Sequence, residues 1–204
     1  ADVAIDTRVC ECCPTAAAIT TDGVIAAFRN RTEDEIRDIY VSRLENGKWS
    51  EPKAVHNDNW KISGCPVNGP MLSARGRDVV IAWFSGTDDP GRVSVAFSKD
   101  TGRTFGAPIR VDDAGTVGRV DVELLADGSA MATWIELVAG KTEFRARRVQ
   151  ASGTKDAAMT IAPLANNRAS GYPRLARSGN EFVFAWTEVV AGAPGARPST
   201  QVRT

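Results

Sequence analysis

The chain has 204 residues, enough to bury one large core or two small ones. Its 25 basic and 25 acidic residues cancel to a formal charge of zero, which removes the electrostatic footprint of a nucleic-acid or anionic-membrane partner. No apolar run approaches the roughly 20 residues of a membrane-spanning helix, and the start at Ala1 reads as the beginning of a processed or excised piece of an exported protein, periplasmic or secreted.

The first signal along the chain is Cys10-Glu11-Cys12-Cys13, three sulfurs within one turn of backbone, joined by Cys65 to make an even count of four. Two chemistries fit. In an oxidising compartment the four form two disulfides; in a reducing one a thiolate metal site is the natural reading. Adjacent Cys12 and Cys13 cannot bridge each other without strain, so a disulfide scheme sends either Cys13 or Cys12 to Cys65. A metal scheme gathers Cys10, Cys12, Cys13 and Cys65 around a soft ion, copper or zinc, with the sole histidine, His56, available to complete a trigonal or tetrahedral site. His56 stands among Asn57, Asp58 and Asn59, where a plain polar loop residue is the alternative.

Four short apolar runs, 24–28, 79–83, 130–134 and 182–186, each lead into an aromatic residue. Phe28, Trp83, Trp134 and Trp186 succeed one another at intervals of 55, 51 and 52 residues, a period shared by propeller blades and helical solenoids. The runs are rich in Val, Ile and aromatic residues and are bounded by turns such as Asp22-Gly23, Gly76-Arg77-Asp78 and Asp127-Gly128, so they predict strands. Unit one spans 14–56. Unit two, 66–112, divides into strands at 71–74, 79–84, 92–97 and 107–111, a four-stranded meander of the kind that propellers repeat radially. Unit three, 118–164, has its outer hairpin at 144–149 and 159–161. Unit four, 171–204, crosses an Ala191-Gly192-Ala193-Pro194-Gly195 loop and stops before an outermost strand.

In unit two the strands at 92–97 and 107–111 are joined by Ser98-Lys99-Asp100-Thr101-Gly102-Arg103-Thr104-Phe105. Asp100 is placed to accept N–H groups of its own turn, Gly102 supplies a positive φ, and Phe105 drops its ring under the turn. The pattern Ser-x-Asp-x-Gly-x-Thr-Phe resembles the Asp-box (BNR) repeat of sialidase-like β-propellers. The stretch at 42–49 in unit one reads as a degraded copy, with Leu44 in the Asp position and Gly47 one place late. The expected fold is therefore all-β, a single propeller domain of four-stranded antiparallel blades, about three and a half of them within 1–204. Since the family closes its ring with six, further blades outside this sequence or another chain would complete it. A closed four-bladed ring is the alternative.

Propeller ligands gather on the axis, where the innermost strands begin. Cys13-Pro14 and Cys65-Pro66 open units one and two at a spacing of 52 residues, so Cys13 and Cys65 belong at equivalent mouths, with Gly118-Arg119 and Gly171-Tyr172 at the corresponding places in units three and four. Arg29 and Arg31 follow the second strand of unit one; Arg119, Asp121 and Glu123 share one side of their strand by alternation; Arg174 follows Tyr172. Convergent arginines suit a carboxylate-bearing ligand, because a guanidinium holds it with two parallel hydrogen bonds. The alternative is that these charges pair with one another across blades.

Sialidases grip the sugar carboxylate with three arginines and use a tyrosine nucleophile with a glutamate base, outside the two-carboxylate scheme of most glycosidases. On this chain the resemblance assigns Tyr172 as nucleophile, Glu136 or Glu188 as its base, and Arg29, Arg119 and Arg174 as grips. The family's Phe/Tyr-Arg-Ile-Pro signature is absent. A wider resemblance, carried by 8–13, 35–39, 65–70 and 118–122, is to exported bacterial sialidase-like proteins often labelled exo-α-sialidase by similarity. The expectation is a non-hydrolytic propeller that binds a glycan or a metal on its axial face. An exo-α-sialidase and a structural protein-docking propeller are the alternatives.

Overall fold

The computed structural model describes residues 2–88, 90–166, 168–192 and 197–204. Its strands form four antiparallel sheets in chain order. The first contains β1 (Ala16–Thr20), β2 (Gly23–Arg29), β3 (Ile39–Glu45), β4 (Lys48–Trp49) and β5 (Lys53–Ala54), the last two both pairing with β3. The second is β6 (Met71–Arg75), β7 (Asp78–Ser85), β8 (Arg92–Ser98) and β9 (Ile109–Arg110). The third is β10 (Thr116–Leu124), β11 (Ala130–Val138), β12 (Lys141–Val149) and β13 (Met159–Leu164). The fourth is β14 (Arg174–Ser178), β15 (Glu181–Val190) and β16 (Ser199–Arg203). The loop expected at 191–195 lies, from residue 193 on, outside the described residues. A single 3-10 turn at Arg168–Ser170 is the only helical element among the described residues, where no helix is long and apolar enough to cross a membrane.

Each sheet is a meander, and the inner strands lie side by side, β1 against β6, β6 against β10 and β10 against β14, as consecutive propeller blades do. The second blade is buried on both faces, which is why β7 reads Asp-Val-Val-Ile-Ala-Trp-Phe-Ser without polar alternation. Its side chains still alternate in direction. Val79, Ile81 and Trp83 join Ile25, Ala27, Ile39 and Val41 of the first blade. Val80 and Ala82 join Val120, Val122, Leu124 and Trp134 of the third. Each fully buried Val or Ile of these seams contributes roughly 1.5–3 kcal/mol.

The aromatic residues occupy equivalent registers. The residue before each of them, Ala27, Ala82, Thr133 and Ala185, pairs with Ala16, Met71, Asp121 and Arg174 of the inner strand. Phe28, Trp83 and Trp134 are buried, while Trp186 is only half-buried. Within the described chain the fourth blade is covered on one face only, by the third, whose Phe144 meets Phe184 and Trp186 at ring distances of 6.0 and 6.4 Å.

The Asp box closes as its residues dictate. Asp100 Oδ1 accepts the Ser98 hydroxyl at 2.7 Å and the Thr104 N–H at 2.9 Å, Oδ2 accepts the Thr104 hydroxyl at 2.6 Å, and Ser98 Oγ takes the Gly102 N–H at 2.9 Å. Gly102 has φ of 79°, and a Cβ there would stand 2.2 Å from Cδ1 of Ile25. Phe105 packs against the seam between the first two blades, and Arg103 reaches Asp22 and Glu45 of the first blade at 2.7 Å each. The 42–49 turn, by contrast, is no Asp box. Glu45 pairs with Lys48 across Asn46 and Gly47, which have φ of 51° and 75°, the two-residue hairpin turn that Asn-Gly favours.

Burial opposes ionisation of Asp100, but the Thr104 hydroxyl and N–H, Ser98 and the Arg103 N–H outweigh it and hold the carboxyl at about 2. With its folded value below the unfolded one, the stabilisation is full above about pH 4 and is lost as the pH falls through about 2. We predict that Asp100→Asn lowers the melting temperature at neutral pH, and that the gap to the native chain narrows between about pH 4 and 2. A gap independent of pH in that interval would show that the carboxylate charge does not hold the turn.

Candidate functional site

The inner ends of the blades converge on one mouth, held by backbone groups at close range. A Cβ on Gly69 would stand 1.8 Å from the Pro14 carbonyl oxygen, so the entries to β1 and β6 touch only because residue 69 has no side chain. Asn68 ties the mouth of the second blade to that of the third: its Nδ2 donates to the Val117 carbonyl at 3.1 Å and its Oδ1 accepts the Arg119 N–H at 2.7 Å. Gly118, at φ of 80°, leaves room for this, since a Cβ there would lie 2.4 Å from Asn68 Oδ1.

Arg29, at the end of β2, is the centre of the first mouth. Its guanidinium donates to three carbonyls from three segments, Nε to Asn68 at 2.7 Å, Nη1 to Arg37 at 2.5 Å and Nη2 to Phe84 at 2.7 Å, and it lies 4.9 Å from the Trp60 ring centroid. The residue is 2% exposed and, among the described residues, no carboxylate lies within 4.0 Å of it. Burial pulls its pKa down, with Cys13 and Cys10 as the nearest compensating groups. Arg29 is thus enclosed by backbone rather than turned toward an axial ligand, which corrects its expected role as a carboxylate grip.

The cysteines lie beside it. Cys12 and Cys65 form a disulfide with a Cα separation of 6.1 Å, and Cys10 and Cys13 are buried thiols, so one bridge forms where the disulfide reading of the sequence has two. The pairing falls on Cys12 because the turn closed by the Cys13 N–H to the Cys10 carbonyl, at 3.1 Å, points Cys13 inward. Its thiol donates to Cys10 Sγ at 3.4 Å, and burial above all pushes it up to about 11. Cys10 Sγ lies 3.7 Å from Cys12 Sγ and accepts Nη1 of Arg37 at 3.0 Å. The sulfurs of Cys10, Cys12 and Cys13 lie within 4.8 Å of one another, and Cys65 and His56 stand outside this group. His56 lies instead 4.0 Å from Asp58. A cleft of about 570 Å³ between the N-terminal segment and the first blade is lined by Cys10, Cys13, Val9, Glu11, Phe28 and Arg29.

Arg37 and Asn68 were singled out by no spacing or periodicity, only as members of the stretches that carry the family resemblance. Arg37 bonds Glu35 at 2.7 Å as well as Cys10, and Glu35 is shared with Arg31 at 2.8 Å and Arg8 at 3.7 Å. The hydrogen bonds from Arg31 and Arg37 hold Glu35 at about 2. Arg31 is therefore an ion-pair partner and is not free for a ligand.

A bulge with Arg119 at φ of 53° interrupts β10, so Arg119 does not share a face with Asp121 and Glu123 as strict alternation predicts. Its guanidinium donates to the Gly171 carbonyl at 2.6 Å and lies 5.6 Å from the Tyr172 ring centroid. Asp121, buried, accepts the Leu175 N–H at 2.9 Å and pairs with the exposed Arg174 at 3.0 Å, a bridge between the third and fourth blades. Tyr172 is 39% exposed and its hydroxyl donates to the Val67 carbonyl. Burial raises its pKa more than Arg119 lowers it.

Neither glutamate is bonded to Tyr172. Glu136 is fully buried, where Oε1 accepts the N–H groups of Asp113 and Ala114 at 2.7 and 2.8 Å and Oε2 pairs with Arg145 at 2.9 Å. It fastens the linker between the second and third blades. Glu188 pairs with Arg203 at 2.8 Å and accepts Gln201 on the outer strand of the fourth blade.

No protein-family model and no curated protein sequence matches the chain. Solved structures do share its fold. A GH93 α-L-arabinofuranosidase of Fusarium graminearum, solved with arabinobiose, superposes with a TM-score of 0.59 at 16% identity, over 92% of this chain and 60% of that one. A xylan β-1,4-xylosidase of Bacillus halodurans C-125 gives 0.53 at 10% identity, over 92% and 38%, and a GH32 β-fructofuranosidase of Bombyx mori 0.52 at 13%, over 92% and 44%. The chain therefore has the fold of propeller glycosidases and spans between about two fifths and three fifths of the length of these three.

Proposed function

We propose that this chain belongs to an exported, sialidase-like propeller, periplasmic or secreted, that binds a carboxylate-bearing glycan on its axial face without hydrolysing it. Residues outside these 204, or another chain, complete the ring. The observation that carries this reading is the Tyr172–Arg119 pair at the mouth of the third and fourth blades. A half-exposed aromatic ring beside a guanidinium offers a sugar both an apolar platform and a planar donor, with Arg174 exposed nearby on β14. The fold likeness to glycosidases supports a glycan as the ligand class.

The nucleophile reading is supported less well. A tyrosine that attacks a sugar must pass its proton to a base, whereas the Tyr172 hydroxyl donates to a backbone carbonyl and its pKa is raised. Titration calorimetry with a sialyl-oligosaccharide is expected to give binding that Tyr172→Ala weakens by about tenfold or more, with no free sialic acid released. Cleavage of a fluorogenic sialoside that Tyr172→Phe abolishes would replace this reading with the exo-α-sialidase. Absence of binding, with the variant and native chains equal, would leave the docking platform.

A further inference from the structure

The geometry points to a second site, at the first mouth: we propose that Cys10, Cys12 and Cys13 form a three-sulfur site for Cu(I), closed while Cys12 is bonded to Cys65 and opened when that disulfide is reduced. This site is independent of the glycan reading. The three sulfurs already lie within 4.8 Å of one another, held by a turn whose backbone is pinned at both ends, by the Cys13 N–H to the Cys10 carbonyl and by the Cys10 N–H to the Arg29 carbonyl at 2.9 Å. Soft thiolates select Cu(I), which accepts three-coordination, whereas structural zinc takes four ligands. His56 lies outside the group, and Cys65, bonded to Cys12 in the oxidised chain, stands exposed at its outer side, so the clustered sulfurs number three.

Charge favours the same occupant. A Cu(I) ion on three thiolates carries a net negative charge that must be met inside the protein. Arg37 donates to Cys10 Sγ, and its Nε has no acceptor among the described residues. Arg29 lies against Cys13 and donates to three carbonyls. Arg37 already has Glu35 as a counter-charge at 2.7 Å, but Arg29 has no carboxylate within 4.0 Å among the described residues, and a buried guanidinium in that position is costly beside neutral thiols and fitting beside a thiolate-bound ion. The cleft that reaches Cys10 and Cys13 supplies an entry path.

Exposure sets the direction of opening. Cys65 is exposed and Cys12 is half-buried inside the group. A thiolate of an external dithiol attacks Cys65 Sγ, the Cys12–Cys65 bond breaks, and Cys12 leaves as a thiolate into the cluster. The second thiol of the reductant then attacks its own sulfur in the mixed disulfide. Cys65 is released as a thiolate that takes up a proton, and the two electrons have come from the dithiol, which departs as a cyclic disulfide. Cys12 is thereby converted from a blocked sulfur to the third ligand.

The test is anaerobic loading with Cu(I) supplied as its acetonitrile complex, followed by gel filtration, copper analysis and X-ray absorption. The dithiol-reduced native chain and unreduced Cys65→Ser are expected to retain about one copper per chain with about three Cu–S bonds, and the oxidised native chain to lose it. Cys10→Ser and Cys13→Ser should lose stoichiometric binding, and His56→Ala should retain it. Equal retention by oxidised and reduced chains, failure of Cys65→Ser to load, or a four-sulfur or nitrogen-containing shell would overturn the proposal. The copper shell and its dependence on reduction are both read on the native chain, so they decide the matter even where a variant fails to fold.

Discussion

Arg29→Met is expected to destabilise the chain by about 3 kcal/mol, read as a lower denaturant midpoint at unchanged slope. The three carbonyls of Asn68, Arg37 and Phe84 lie on the entry to β6, on the segment before β3 and at the end of β7, and one planar group satisfies them all. Methionine keeps most of the volume and removes all the donors. Each buried carbonyl left without a partner costs about 1–3 kcal/mol, and the relief of no longer burying a charge offsets part of that sum. Arg29→Lys separates charge from geometry. An ammonium is a point donor that cannot span three diverging acceptors, so lysine should recover less than about half of the loss. Full recovery by lysine would mean that the charge, and not the fork, holds the mouth.

The same residue marks the boundary of what could be read from the sequence. The blades were legible because two periodic signals coincide in them: a near-52-residue recurrence of Phe28, Trp83, Trp134 and Trp186, and β-branched runs such as the one in β7. Both arise from burial between neighbouring blades, and burial leaves a trace in composition. The Asp box was legible because the hydrogen bonds that close its turn, from Ser98 to Thr104, are local. At 42–49 the same pattern misled, because Asn46-Gly47 satisfies a tighter hairpin and local turn chemistry prevails over a partial motif.

The chemistry of the mouths was harder to read. An arginine near a blade mouth reads the same whether it meets a ligand, as its type suggests, or three carbonyls. Those acceptors are 8, 39 and 55 residues away in sequence, and every residue has a carbonyl. Repeat equivalence favoured Cys13 as the partner of Cys65, yet Cys12 makes the bond. Alignment fixes the neighbourhood of a residue to within one position, and in a tight turn one position is the difference between facing Cys65 and facing Arg29. For Arg119 the bulge in β10 had the same effect, turning a side chain away from Asp121 that the two-residue period would have set beside it.

Cys65→Ser should produce the other large loss. The disulfide joins residues 53 apart in sequence, and in the chain-entropy model a loop of that size restricts the unfolded state by about 4 kcal/mol. For a chain of this length that amounts to a fall in melting temperature on the order of 10 °C, measured without metal. The loss should be equal in Cys12→Ser, because either variant opens the same loop, and the two together should cost no more than one. A second comparison separates loop closure from local contacts. Cys65 is exposed, so serine there removes little packing, whereas Cys12 stands 3.7 Å from Cys10 Sγ and its loss also disturbs the sulfur group. If Cys12→Ser proves much the more costly of the two, the sulfur group rather than the closed loop holds the first mouth to the second. If neither lowers the melting temperature, the contacts at Gly69 and Asn68 already fix the two blades, and the disulfide adds nothing to the fold.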